Sequence, residues 1–325
     1  MRVLSSHHRL IVQQSNPDAK MTKAGELSTN ERSYIFNALK KGFRLDGRAL
    51  DEMRKPLITL SKTEYGYVEV ELGDTKLAVR VSCEIGKPFE DRPFEGTFTI
   101  NTEISSMASP MFENGKNSDE EVLISRLIEK AVRRSNALDL ESLCVIAGEK
   151  VWHIRADINF LNYDGGLIDA SCIGVMTALQ HFKKPDVSIQ GTDVTIYSFD
   201  ERQPVPLSIL HVPICVTYSF FNPGDKEENI KGALNQEIAI MDANLKEEAI
   251  RDGSLVITMN KNRELIQLSK NGGLPIDGVA LLSLAQNSFA VAEKLTDQIK
   301  ALLKEDEEER YKNMHLELLE VGAAR

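Results

Sequence analysis

The sequence predicts an α+β fold in which two halves of similar make-up pack into one compact unit. Three observations carry the prediction. Alternating apolar and polar runs come in pairs joined by short turns, the mark of antiparallel hairpins. Among them lie one helix with a single apolar face and one that is apolar on most sides. A similar series then starts again after Pro185, and no linker composition separates the two.

Each element has a local reason. Ser28-Thr29-Asn30-Glu31 has the capping-box form, and Ile35, Leu39 and Phe43 follow at helical spacing. Order is therefore expected from residue 28, with residues 1–27 a flexible extension in which Met21 is an alternative start. Arg44-Leu45-Asp46-Gly47-Arg48 is a polar run whose Asp-Gly marks a turn. Tyr67 to Leu72 and Lys76 to Val81 alternate, and Gly73-Asp74-Thr75 closes them into a hairpin. Residues 84–120 are rich in Pro and Gly and largely without period, which predicts a long loop of the kind that often binds something. Glu121 to Ser135 is an amphipathic helix with Ile124, Leu127, Ile128 and Ala131 on one face and Arg126, Lys130, Arg133 and Arg134 on the opposite one. Val151 to Phe160 alternates again, and Asp164-Gly165-Gly166 turns the chain into a buried helix from about Ile168 to Phe182.

The second half runs from residue 186 to 304. Val187 to Ile196 and Ile209 to Phe220 read as strands joined through Pro204-Val205-Pro206. Leu234 to Arg251 reads as strand then helix around Met241-Asp242. Leu255–Met259 and Glu264–Ser269 form a hairpin across residues 260–263, and Gly272-Gly273 leads into a helix from Asp277 to about Lys304. The charged tail, residues 305–325, opens with a run of acids from Glu305 to Glu309 that reads as a solvated helix end.

Composition narrows the function. A net charge of -10 excludes a general polyanion binder, so any nucleic-acid contact must come from a local basic patch. No apolar run approaches the ~18 residues of a membrane span, and the N-terminal stretch lacks the apolar core of a secretory signal. Cys83, Cys144, Cys172 and Cys215 are far apart, without CxxC or zinc spacing, and read as reduced thiols of an intracellular protein.

Several stretches could carry chemistry. Arg126, Lys130 and Arg133 recur at i, i+4 and i+7 with Arg134 beside them. The plain reading is a solvated face with Glu129 as internal partner, but clustering in an acidic chain also suits phosphates or an RNA backbone. Asp164-Gly165-Gly166 opening into a helix is a potential anion cradle, though neither a Walker A nor a dinucleotide fingerprint. Asp242 and Glu248 are close enough in sequence to converge on one metal or proton-transfer site, or else are an acidic first turn that favours the helix dipole. His153, His181 and His211 are scattered, and His181 reads as a helix C-terminal cap.

Taken together, these segments resemble one family. Arg44 to Arg48 resembles the RxDGR signature of RNase PH-fold proteins, and Leu72-Gly73-Asp74-Thr75-Lys76 resembles the hairpin turn that follows it. The basic helix and the turn Leu161-Asn162-Tyr163-Asp164-Gly165-Gly166 with Asp169-Ala170 are similar to the family's counterparts. Residues 89–96, 211–217 and 270–273 resemble the RNase PH-like ring subunits of the eukaryotic exosome, of the type descended from the archaeal non-catalytic ring partner. The resemblance implies an RNase PH fold of two βαβα-type halves, ribosomal protein S5 domain 2-like. It also implies a hexameric ring with other such subunits around single-stranded RNA, S1/KH caps and an attached processive exoribonuclease. Sites in the nucleus, nucleolus and cytoplasm, and roles in rRNA maturation, RNA surveillance and mRNA turnover, follow from the same likeness.

One departure sets the expected mechanism. Active members hold the attacking phosphate with a Gly-Thr/Ser-Arg element after the central turn, where this chain has Gly166-Leu167-Ile168. A hydroxyl and a guanidinium have become two aliphatic side chains, which should cost several kcal/mol of transition-state stabilisation. Asp242 and Glu248 match the family's catalytic acids, so with Leu167 and Ile168 they are expected to be vestigial active-site positions. No catalytic residue, cofactor or metal is expected. The RNA-binding residues would be Arg92, Arg126, Lys130, Arg133 and Arg134, through sequence-independent phosphate contacts. The alternatives are a phosphorolytic 3′–5′ exoribonuclease whose phosphate site a neighbouring subunit completes, and a phosphate-binding metabolic enzyme unrelated to RNA.

Overall fold

Why one helix should be apolar nearly all round becomes clear from what flanks it. The structure, a computed structural model, describes residues 27–113, 115, 118–191, 193–199, 201–222 and 237–323. The first sheet contains β1 (Pro56–Leu60), β2 (Tyr67–Leu72), β3 (Thr75–Gly86), β4 (Thr97–Ile104), the short β5 (Cys144–Ile146) and β6 (Lys150–Asn162). Its order is β1-β2-β3-β6-β4, antiparallel except for the parallel β4–β6 pair, with β5 beside β6. After the two-residue β7 (Lys183–Lys184) come the small hairpin β8 (Val187–Gln190) and β9 (Asp193–Ile196), and β10 (Val205–Pro206), which pairs with β7. The second sheet joins β11 (Ile214–Phe221), β12 (Ile238–Met241), β13 (Gly253–Met259) and β14 (Leu265–Gly272) in the order β12-β11-β13-β14, all antiparallel.

Five α-helices pack on these sheets among the described residues: α1 (Thr29–Lys40), α2 (Asp119–Glu129), α3 (Leu167–His181), α4 (Leu245–Glu248) and α5 (Gly278–Ala323). Helix α3 lies against β2 and β3 on one side and β11 on the other, so almost every side chain it carries is buried. Gly174 lets it come close, because a Cβ there would stand 2.8 Å from Val79 Cγ2. One apolar cluster runs from Val70 and Val79 through Ile173 and Met176 to Ile214, Cys215 and Ile299, so the two halves share a core. Removing those side chains from water, at ~25 cal/mol per Å², is what holds the halves together.

The capping boxes at Ser28 and Ser118 are both formed, the second starting α2 two residues before the expected Glu121. Several expectations need correction. Residues 84–120 are not one loop: β3 extends to Gly86, and Thr97–Ile104 is a strand at the sheet edge. The expected single strand from Val187 to Ile196 is a hairpin across Gly191, whose φ of +66° suits a tight turn. Phe43 lies beyond α1 and is exposed. Helix α5 does not end near Lys304 but continues to Ala323. Its acidic run is therefore mid-helix and stays largely solvated, with Glu305, Glu307, Glu308 and Glu309 exposed; only Asp306 turns inward, pairing at 2.6 Å with Arg310, which donates to Ser61 O and to Lys62 O at 3.0 Å and stacks over Tyr65. His181 is no helix cap, since its Nδ1 accepts from the Gly66 N–H at 3.1 Å.

All four cysteines are free thiols, with Cys172 and Cys215 buried and Cys83 pushed up to about 11 by burial. No helix among the described residues is long and apolar enough to cross a membrane. The expected flexible extension, residues 1–27, lies outside the described residues except for Leu27, as do residues 234–236 of the expected second-half strand.

Candidate functional site

The turn before α3 is where the halves meet. Gly165 and Gly166 have φ of +77° and +68°, and Gly166 caps α3. A Cβ on Gly165 would lie 2.6 Å from Ala243 O, so only glycine allows the first-half turn to sit on the second-half loop 242–245.

That loop is held by three arginines from the segment after α1. Arg44 is wholly enclosed; its fork grips Glu247 (Nη2–Oε2 2.7 Å) and the carbonyls of Met241 and Asp242 (both 2.9 Å). Arg48 Nη1 donates to Asp242 Oδ2 at 2.9 Å, and Nη2 donates to Asn244 Oδ1 at 2.9 Å. Arg54 embraces Asp242, with Nε to Oδ2 at 2.8 Å and Nη2 to Oδ1 at 2.7 Å, and reaches Asp164 O at 3.0 Å. Burial alone would raise the Asp242 carboxyl, but the hydrogen bonds and charge of Arg54, then Arg48, hold it below its ordinary value. Asp242 Oδ2 accepts from Arg48 and twice from Arg54, and Oδ1 accepts from Arg54, on a backbone with φ of +49°.

Glu248 points elsewhere. Its Oε1 accepts the Gly166 N–H at 3.1 Å and its Oε2 accepts the Tyr163 hydroxyl at 3.1 Å. A carboxylate thus takes the N-cap amide at the positive end of α3, where a helix terminus can otherwise receive a free anion. Burial raises the Glu248 carboxyl above its ordinary value, and nearby Arg251 only partly offsets this. Beside it opens a cleft of about 290 Å³ lined by Leu123 and Leu127 of α2, Leu167 and Ile168 of α3, and Ser254 and Asn271 of the second sheet. Arg251 is its one guanidinium, and that is tied to Glu248 at 3.4 Å. Deeper still, Asp169 is fully buried and pushed up to about 8, chiefly by burial, while the Thr217 N–H (2.9 Å) and hydroxyl (2.6 Å) donate to it.

Leu167, Ile168 and Glu248 therefore share the cleft, whereas Asp242 is turned away into the arginine knot and does not line it. The two acids share no hydrogen-bond partner, yet both come to Gly166: Glu248 Oε1 accepts its N–H at 3.1 Å, and Asp242 Oδ1 would stand 2.8 Å from a Cβ there. Among the described residues no group of three His, Cys, Asp or Glu is placed to hold a metal. Arg54, Arg251 and Asp169 complete the site. Nothing in the local pattern around Arg54 signals its role, because its partner is 188 residues away.

The basic residues lie in a different place. Arg126 and Arg133 line a groove of about 360 Å³ between α2, the face of β4 and Phe89, and Glu129 bridges them at 3.0 and 3.4 Å. Lys130 and Arg134 are exposed outside that lining, where the helix loosens into a π turn (Lys130–Arg134). Arg92, in the loop before β4, pairs with Glu95 at 3.0 Å. The predicted patch is thus partly internally neutralised.

Comparison with known proteins agrees with this architecture. Residues 52–185 match the 3′ exoribonuclease family, domain 1, and residues 211–291 match its domain 2. The chain is 56% identical over 293 residues to the Saccharomyces cerevisiae exosome complex component RRP45, covering 90% of this chain and 96% of that one. It is 42% identical to the human exosome complex component RRP45, covering 89% of this chain and 63% of that one. A chain of the Archaeoglobus fulgidus exosome with RNA bound to the active site superposes with a TM-score of 0.68 and 30% identity, over 83% of this chain and 97% of that one.

Proposed function

This chain belongs to the 3′ exoribonuclease family with the RNase PH fold, and we propose that it is a non-catalytic subunit of an exosome ring. It would sit among other RNase PH-like subunits under S1/KH caps, guiding single-stranded RNA toward an associated processive exoribonuclease in nucleus, nucleolus and cytoplasm. One observation carries the reading: the Glu248 carboxylate occupies the N-terminus of α3, flanked by Leu167 and Ile168. Phosphorolysis needs inorganic phosphate at a site with uncommitted positive charge. Here an incoming phosphate meets a fixed carboxylate, aliphatic walls and an arginine already paired. Guidance of RNA falls to Arg126 and Arg133, with Arg92, Lys130 and Arg134 as exposed phosphate contacts outside that groove.

The test is phosphate-dependent release of nucleoside diphosphates from RNA. The isolated chain should give none, and a reconstituted ring should give the same rate when Glu248 of this chain becomes Gln. A rate that falls with Glu248→Gln would establish the competing reading, an exoribonuclease whose phosphate site a neighbour completes. That reading draws on the same side chain, since a buried carboxyl with a raised proton affinity suits a general acid.

A further inference from the structure

Strand β4 ends the first sheet on one side, because only β6 pairs with it. The register with β6 runs unbroken from Thr97 to Ile104, so alternate residues turn both N–H and C=O toward β6 and the others turn them outward. Contacts at the two ends show which set faces out. The Gly96 N–H bonds to Leu140 O at 2.9 Å, and the Ile104 N–H bonds to Glu121 Oε1 at 2.6 Å. Between these capped positions Phe98, Ile100 and Thr102 turn their N–H and C=O groups outward, and those groups have no hydrogen-bond partner among the described residues.

The open stretch lies in the groove beside α2. Thr97 to Thr102 line that groove in unbroken succession, which side chains pointing to alternate faces cannot do, so the strand offers its edge. Phe98 and Ile100 send their side chains into the core, which leaves backbone as their contribution. Three donors and three acceptors in register are a template for one more strand. The facing wall is α2, with Val122, Ser125, Arg126, Glu129 and Arg133. A groove between a strand edge and a helix suits an extended peptide whose alternate side chains touch the helix. The wall also sets the charge. Glu121 is committed to the Ile104 and Ser118 amides, and Glu129 alone faces Arg126 and Arg133, with Lys130 and Arg134 exposed beyond them.

We propose that the β4 edge binds an acidic peptide segment of a partner protein, which adds to the sheet as a further strand. A sugar-phosphate chain could satisfy the arginines, but it has no row of N–H donors and carbonyl acceptors at the two-residue repeat of a strand. Peptide and RNA would therefore compete for Arg126 and Arg133, while the peptide alone would pair with the edge.

The probe is a blocked seven-residue peptide of alternating glutamate and valine, titrated into the full-length chain while amide exchange is followed by NMR. In the free chain the Phe98, Ile100 and Thr102 amides should exchange faster than those of Thr99 and Asn101, which face β6, and the peptide should slow those three. The peptide can be N-methylated at alternate residues in two ways. The form blocked toward β4 should need at least about tenfold more peptide for half-saturation, and the other should match the parent. Ile100→Pro removes one outward N–H, spares the β6 ladder and should weaken binding likewise; if that variant does not fold, the methylated pair decides alone. Arg126→Ala with Arg133→Ala should weaken the glutamate peptide but not its glutamine counterpart. Equal affinity of the two methylated forms, no binding by about 1 mM, or slowing of the three amides by oligouridylate and not by peptide would overturn the assignment.

Discussion

Replacing Asp242 by Asn would separate a structural carboxylate from a catalytic one. Asp242 is completely buried and accepts four hydrogen bonds, three from Arg54 and one from Arg48, at 2.7 to 2.9 Å. The amide would keep one acceptor oxygen but turn an N–H₂ toward guanidinium donors. Arg54, whose side chain is 9% exposed, would be left with the 3.4 Å contact to Asp164 as its one carboxylate partner. Removing one partner of a buried ion pair costs ~3–5 kcal/mol. The carbonyl contacts that Arg48 and Arg54 retain place this case at the lower end, about 3 kcal/mol. At ~2 °C per kcal/mol for a chain of this size, the melting midpoint should fall by about 6 °C. Urea unfolding checks the free energy, and Asp242→Leu with Arg54→Met, which removes both charges, should recover part of the loss. A loss below about 1 kcal/mol, or a double variant as unstable as the two single changes added, would refute the knot as the role of Asp242. The pH sense is fixed too: a depressed carboxyl contributes stability above its unfolded value of ~3.9 and loses it as acid protonates the folded form.

Three further outcomes are expected. Asp169 is pushed up to about 8, so between about 4 and 8 the folded chain keeps a proton that the unfolded chain releases, and stability falls as pH rises through that window. Asp169→Asn should flatten that decline in urea midpoints compared at pH 5 and pH 8, and parallel profiles would contradict it. At Gly166, with φ +68°, an alanine Cβ would stand 2.7 Å from Arg54 Nη2 and 2.8 Å from Asp242 Oδ1, so Gly166→Ala should cost at least ~1–3 kcal/mol in thermal unfolding. Arg126→Glu with Arg133→Glu would place four acids around one groove, because Glu121 and Glu129 already line it; RNA protection by the assembled ring should fall while ring mass is unchanged.

How much of this was legible in the sequence depends on the range of the interaction. The capping boxes, the Tyr67–Leu72 hairpin and the all-round apolar α3 are local patterns, and they form as their residues dictate. Strand β4 was hidden because Thr97, Thr99, Asn101 and Glu103 give a weak polar alternation, and its pairing comes from β6, far along the chain. The acidic run of α5 is largely solvated as its charges suggest, but nothing nearby reveals that Asp306 and Arg310 meet His181 and Tyr65 from the other half. The same holds at the site. Leu167 and Ile168 announce the lost phosphate donors, but only the fold shows Glu248 taking the place of an anion and Asp242 turned to the arginines.

The central claim concerns one hydrogen bond, from the Gly166 amide to Glu248. A crystal of the chain soaked in inorganic phosphate examines it directly. The account predicts that Glu248 stays on Gly166 and that no anion lies within hydrogen-bonding distance of that amide. A tetrahedral anion bound there, with the Glu248 side chain displaced, would contradict it.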